Sequence, residues 1–241
     1  MRRFAIGLGV TLVLLLAVLL VLDRVGVRYA EDQVAATLQE ELALSRTPEV
    51  DITGFPVLTQ AVAGAYTDVR LRLDEADVEQ LSGLDVVVRL RGVHVPLSDL
   101  LSDAVGVIPV DRIDGSVAVP YAQVAGQIGD TASVRSAGNG TVAVSDTVDV
   151  LGQSLEISGT GEVSVAGPDA IAVQVTGLAL AGLDLPGSLI GELQEQLSFT
   201  YTLPPLPFDL EIISITTDDD GFVVEATATD TVIDPDAIPT D

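Results

Sequence analysis

The residues able to carry covalent or acid–base chemistry are few, and their surroundings do not suit it. His94 is the only histidine in 241 residues, and cysteine is absent, which excludes disulfides, thiol catalysis and Cys-ligated zinc. His94 stands between Val93 and Val95, ahead of Pro96, where a structural or solvent-facing imidazole is expected rather than a catalytic base. Ser154 lies in Leu151-Gly152-Gln153-Ser154-Leu155, which lacks the second glycine of a nucleophile elbow. No lysine exists to complete a phosphate-binding P-loop. Asp218-Asp219-Asp220-Gly221 lacks the alternating ligand spacing of a calcium loop and reads as a hairpin turn. Carboxylate pairs are plentiful, but among 36 acidic residues a pair carries little information about glycoside hydrolysis. The chain is therefore expected to be no enzyme, with no catalytic residue, no metal and no cofactor.

The arginines are more informative. All 11 basic residues are Arg, the last being Arg135, and the formal net charge is −25. Nucleic-acid binding needs a basic surface and is excluded. Dense carboxylates keep a protein soluble in a salty medium, and the lack of Lys with an excess of Asp over Glu fits a salt-adapted, GC-rich bacterium. Arg70 and Arg72 share one face of a strand, as do Arg89 and Arg91, each pair opposite apolar residues. If the two strands are neighbours, the four guanidiniums form a patch able to take an anionic headgroup, since Arg binds phosphate bidentately. The competing role is pairing with acids such as Asp68, Asp74 and Asp85, at ~0–1 kcal/mol apiece.

The elements that position these groups follow from hydrophobic patterning. Apolar residues make up 48% of the chain, with five Phe, four Tyr and no Trp, so the core is aliphatic and favours strands. Arg2 and Arg3 precede an unbroken apolar run, Phe4–Leu22, which at ~1.5 Å per residue spans roughly 28 Å, close to a bilayer core. Good small-x-small cleavage positions are lacking, which predicts an uncleaved single-pass anchor in the cell membrane over a cleaved signal that would release a secreted or periplasmic protein. The N-terminal arginines place that end in the cytoplasm and the remainder outside.

From Arg28 to about Leu44 a four-residue apolar repeat predicts a helix capping the folded part. Period-two alternation predicts strands around Val69–Leu73, Val86–Leu90, Val142–Val144, Leu155–Ile157, Val163–Val165, Ile171–Val175 and Leu210–Ile215. A last strand, Phe222–Ala228, returns from the acidic turn. Short helices are expected over Tyr121–Ile128 and from Pro186, with Leu189, Ile190, Leu193 and Leu197 on one side. The implied division is 1–23 anchor or signal, 24–232 one β-rich domain, and 233–241 an acidic flexible tail.

Short signatures are embedded in these strands. Gly54-Phe55-Pro56, Leu58-Thr59-Gln60, Gly64, Tyr66 and Val69 open a series continued by Arg91-Gly92-Val93, Pro96-Leu97, Val119-Pro120-Tyr121, Leu151-Gly152-Gln153 and Leu183-Asp184-Leu185-Pro186-Gly187. Leu206-Pro207-Phe208 and the terminal hairpin close it. In this order, over about residues 28 to 232, the series resembles the LmeA-like phospholipid-binding family of actinobacteria. The resemblance implies an extracytoplasmic, non-enzymatic phospholipid-binding protein, linked in mycobacteria to lipomannan elongation and so to cell-envelope maintenance. It also implies an α+β, mostly β fold: an elongated, rolled antiparallel sheet (TULIP-like) packed with a long N-terminal helix and short helices.

An acyl chain would need a dry aliphatic channel, in which each buried CH₂ contributes roughly 0.8 kcal/mol. The scarce aromatics Phe55, Tyr66, Tyr121, Phe199 and Tyr201 are the candidates for channel or mouth positions. The expected partners are phospholipid and, through the N-terminal helix, the cytoplasmic membrane. The alternative is a structural or adaptor domain of the envelope with a solid core and no ligand. A hydrolase is disfavoured by the missing nucleophile motif and the lone histidine.

Overall fold

The structure is a computed structural model that describes residues 2–41, 44–78, 81–102, 106–150, 153–180, 187–203 and 206–234. The tail beyond residue 234, Leu151-Gly152 and Leu183–Pro186 lie outside the described residues, as do the side chains of the first helix before Ala17 and that of Ser154. The chain is mostly strand, arranged as two antiparallel sheets with one long helix and several short ones. That is the α+β, mostly β class expected.

Helix α1 runs unbroken over Arg2–Glu41. The sequence reading separates an apolar run from a later helix starting at Arg28, whereas the backbone joins them. Asp23, Arg24 and Gly26 are the only interruptions, and none of these residue types breaks a helix as Pro does. Among the described residues no helix is long and apolar enough to cross a membrane. Most of Phe4–Leu22 belongs to the part of α1 whose side chains are not described.

The first sheet has six strands in the order β1-β2-β3-β4-β11-β10. They are β1 (Glu49–Thr53), β2 (Ala65–Val78), β3 (Leu81–His94), β4 (Ile108–Pro120), β10 (Glu211–Thr217) and β11 (Gly221–Ile233). The second sheet has the order β5-β6-β7-β8-β9, built from Ser133–Gly138, Thr141–Val150, Gln153–Gly167, Ala170–Leu180 and Phe199–Thr202. Helices α2 (Val57–Ala63), α3 (Leu97–Leu101), α4 (Tyr121–Ile128) and α5 (Gly187–Leu197) fill the connections.

The contacts group into two compact units, and the long strands of the first sheet pass through both. Unit 1 holds residues 1–72, 89–112 and 230–241. In it α1 packs against β1 and α2, with Val27, Ala35, Val50, Val57, Val93, Val95 and Val110 buried. Unit 2 holds residues 73–88 and 113–229. Its core sets Tyr121, Val142 and Phe222 against Val124, Val134, Val163 and Ile215, so α4 and strands from both sheets close over one aliphatic interior. The hairpin β10–β11 turns at Asp218, whose Oδ1 accepts from the N–H groups of Asp220 and Gly221 at 2.9 and 3.1 Å. Gly221 lies so close to the Val119 carbonyl and Pro120 Cα that a Cβ has no room. The carbonyl of Asp220 then accepts from Tyr121 N–H at 3.0 Å, which docks the start of α4 on the turn.

Candidate lipid-headgroup site

Strand β1 pairs antiparallel with β2 in the register Glu49↔Arg72, Asp51↔Arg70 and Thr53↔Asp68. Cross-strand partners share a face, so Tyr66, Asp68, Arg70 and Arg72 line one side of β2 with Glu49 and Asp51 beside them. Val50 and Ile52 face the other way with Leu71 and Val69. Strand β3 is the next neighbour and brings in Arg89 and Arg91. Arg89 donates to Asp68 Oδ2 through both Nε, at 2.7 Å, and Nη2. Arg72 Nη1 donates to Glu49 Oε2 at 2.7 Å.

The Arg89 hydrogen bond holds the Asp68 carboxyl below its ordinary range, against the opposing effect of burial, and the positive fields of Arg89, Arg70 and Arg91 add to the lowering. Three of the arginines expected on two separate strands, Arg89, Arg70 and Arg91, thus act on one carboxylate, while Arg72 pairs with Glu49. Of the acids named as competitors, Asp68 is taken by Arg89, while Asp85 Oδ1 accepts from Glu75 N–H at 3.1 Å.

The face is partly desolvated. Tyr66, Asp68, Arg70, Arg72, Arg89 and Arg91 are all half-buried, and burial pushes the Tyr66 phenol above its ordinary pKa. Gly92 follows Arg91 at a left-handed φ of 62°, and a Cβ there would collide with the Asp111 side chain. A residue free to adopt that conformation lets β3 bend just beyond the cluster. The apolar residues Val69, Leu71, Leu73, Val86, Val88 and Leu90 are half-buried too, while Ala76 on β2 and Leu84 and Val93 on β3 are buried.

The resemblance carried by the ordered signatures agrees with the comparison to known families. The chain matches the LmeA-like phospholipid-binding profile over residues 21–227, well over half its length. It belongs to that family. No curated protein and no solved structure matches the chain.

The signatures of this LmeA-like chain have local structural work. Gln60 Oε1 accepts from Thr67 N–H at 2.8 Å, and Thr59 Oγ1 donates to the Pro56 carbonyl at 2.7 Å. These bonds fold the Gly54-Phe55-Pro56 loop back on the start of β2.

The aromatic candidates divide between the two units. Phe55 and Tyr66 belong to unit 1, and Tyr121, Phe199 and Tyr201 to unit 2. Phe55 is 59% exposed beside Arg24, whose guanidinium lies 6.0 Å from its ring centre. Tyr121 is a packed core residue: its ring meets Phe222 edge-on at 5.1 Å, and its hydroxyl donates to the Asp218 carbonyl at 2.9 Å. Burial raises its phenol pKa. Phe199 and Tyr201 are exposed on β9, at the edge of the second sheet.

His94 is exposed, with Nδ1 3.8 Å from Asp111 Oδ1. Among the described residues no group of acidic or His side chains is placed to hold a metal. Sequence reasoning missed Glu49 and Asp51, since their role depends on the β1–β2 register. It also missed Asp23, which is 2% exposed and accepts at Oδ1 from Leu58 N–H at 2.8 Å.

Proposed function

We propose that this protein holds phospholipid outside the cytoplasm without catalysing a reaction, anchored by Phe4–Leu22, and serves maintenance of envelope lipid or lipoglycan. The observation that carries the reading is the placement of Arg70 and Arg72 on one half-buried face of β2, with Arg89 of β3 bonded to Asp68 on that face and Arg91 two residues further on, in a chain with net charge −25. Guanidiniums held around a single carboxylate can exchange part of that pairing for the two oxygens of a phosphodiester. The cluster draws the headgroup in, and burial of the acyl chains contributes roughly 0.8 kcal/mol per CH₂. Tyr121, Val142 and Phe222 form a packed core in unit 2, and this reading rests on β2 and β3 instead. The length of the apolar run and its flanking arginines support the anchor.

Native mass spectrometry of the chain from Arg24 onward, prepared without detergent, is the test. Discrete added mass equal to one phospholipid is expected. A bare polypeptide mass, with no uptake from phospholipid vesicles, would favour an adaptor domain instead.

A further inference from the structure

The joint between α1 and α2 has a feature that lipid holding does not require. Asp23 directly follows the apolar run, yet its carboxylate is buried and bonded to the second residue of α2. On α1, Gly26 faces the Leu58 side chain, and Arg24 lies over Phe55. Helix α2 is therefore fixed at the level where the run ends, within one hydrogen bond of Leu22's neighbour. The residues this leaves outward are apolar. Phe55, Leu58 and Val62 are 59%, 41% and 77% exposed, and on α1 so are Leu22, Val25 and Tyr29 at 54%, 62% and 72%.

Spacing of three and four residues puts Leu22, Val25 and Tyr29 on one stripe of α1, which extends the apolar surface about 10 Å past the run at ~1.5 Å per residue. The stripe stops at Asp32. Arg24 and Arg28 rim the cleft between α1 and the Thr53–Phe55 segment, and among the described residues neither forms an ion pair. Two acids share that cleft, Glu31 and Asp51; Glu31 is occupied, its Oε1 accepting from Ile52 N–H at 2.8 Å.

We infer that this surface of unit 1 lies on the bilayer: Phe55, Leu58 and Val62 insert at the acyl boundary, and Arg24 and Arg28 sit at phosphate level. The occupant is the outer leaflet, in which the apolar run ends at Leu22 beside the Asp23–Leu58 bond. Continuity argues for it, because the exposed stripe is the same helix as the apolar run with no break between them. So does chemistry, because an apolar wedge flanked by aromatic and Arg side chains matches the profile of a bilayer interface. The inference rests on the anchor reading and adds a second contact, which fixes how unit 1 is turned toward the lipid it would load.

The chain contains no Trp, so Val62→Trp in the full-length protein gives a single indole reporter. It is reconstituted in vesicles of phosphatidylcholine with phosphatidylglycerol, with and without brominated acyl chains. Bromine should quench the indole at least twofold while aqueous iodide quenches it little, and Phe55→Trp should behave alike if Val62→Trp folds poorly. A protein that floats with the vesicles but shows an indole open to iodide and untouched by bromine overturns the docking surface and leaves the anchor standing. A protein that does not float removes the anchor and this inference together, whereas the lipid-holding reading is judged separately by co-purified mass.

Discussion

Replacing Asp68 by Asn should weaken the fold and strengthen binding to anionic lipid at once. Asp68 is the carboxylate around which Arg89, Arg70 and Arg91 gather, and Asn keeps its shape while removing its charge. A hydrogen bond to a charged group contributes ~1.5–3 kcal/mol and an exposed ion pair ~0–1. With the Asp68 and Arg89 side chains 15% and 38% exposed, the loss falls between these limits, at about 1–2 kcal/mol. On the binding side, the variant removes one negative charge from beside Arg89, Arg70 and Arg91. One basic charge near an anionic leaflet contributes about 1 kcal/mol, so affinity for anionic vesicles should rise roughly fivefold. Affinity for zwitterionic vesicles should not change.

Urea melts and vesicle sedimentation read the two effects separately. Acid provides an internal check. Because the folded pKa of Asp68 is depressed, its contribution is complete above the ordinary 3.8 and is lost as pH falls below that through the folded value. The stability gap between wild type and Asp68→Asn should therefore close in acid. A variant that is less stable but binds anionic vesicles no better than wild type would refute the cluster as a phosphate site and leave its arginines as structural pairs.

Arg89→Gln combined with Arg91→Gln should lower binding to anionic vesicles several-fold and leave zwitterionic binding unchanged; equal loss on both would point to a folding defect. Gly221→Ala should destabilise by about 1–3 kcal/mol, the usual cost of overpacking, since its Cβ falls on the Val119 carbonyl; a denaturant midpoint equal to wild type would contradict the close approach. Eighteen acidic residues and no basic one follow Arg135, so the melting temperature should rise from low to molar salt as repulsion is screened; a flat or falling trend would argue against it.

Elements with one strong local signal were legible in the sequence. Helix α4 begins and ends where Pro120 and the apolar spacing set it, at Tyr121 and Ile128, and α5 follows Pro186 as expected. The β10–β11 turn is carried by the Asp218 side chain, a purely local device. Elements that depend on partners were not legible. Strand β1 has five residues, too few to display a period, and exists through its pairing with β2. Strand β4 buries both Val110 and Ile113 at 2% exposure; that spacing of three breaks the alternation a strand search looks for, so tertiary burial decides it. β2 and β3 were placed correctly but are 14 residues each, far longer than the alternating stretches that mark them, because isolated residues such as Ala76 and Leu84 are buried beyond those stretches with no period to show it. The same division holds at the site. Arg70 with Arg72 and Arg89 with Arg91 follow from spacing, whereas Glu49 as a partner needs a register that one strand alone does not contain.

A net charge of −25 conflicts with holding an anionic lipid only if charge is averaged over the chain. At physiological salt a charge acts over about 8 Å, so what matters is the balance within that distance of the phosphate. Sorted by compact unit, ten of the 11 arginines belong to unit 1 with fifteen acids, while unit 2 has Arg135 alone against twenty-one. Unit 1 is also the unit that contains α1, and within it Arg70, Arg72, Arg89 and Arg91 stand together on β2 and β3. The acidity and the arginine cluster therefore act on different surroundings: unit 2 is kept hydrated and repelled from anionic surfaces, and unit 1 is left free to approach one. Screening by salt would relax the repulsion of unit 2 without erasing the half-buried cluster, because partly desolvated pairs are screened less than exposed ones. Binding to anionic vesicles should accordingly persist at salt concentrations that already give the fold its full stability.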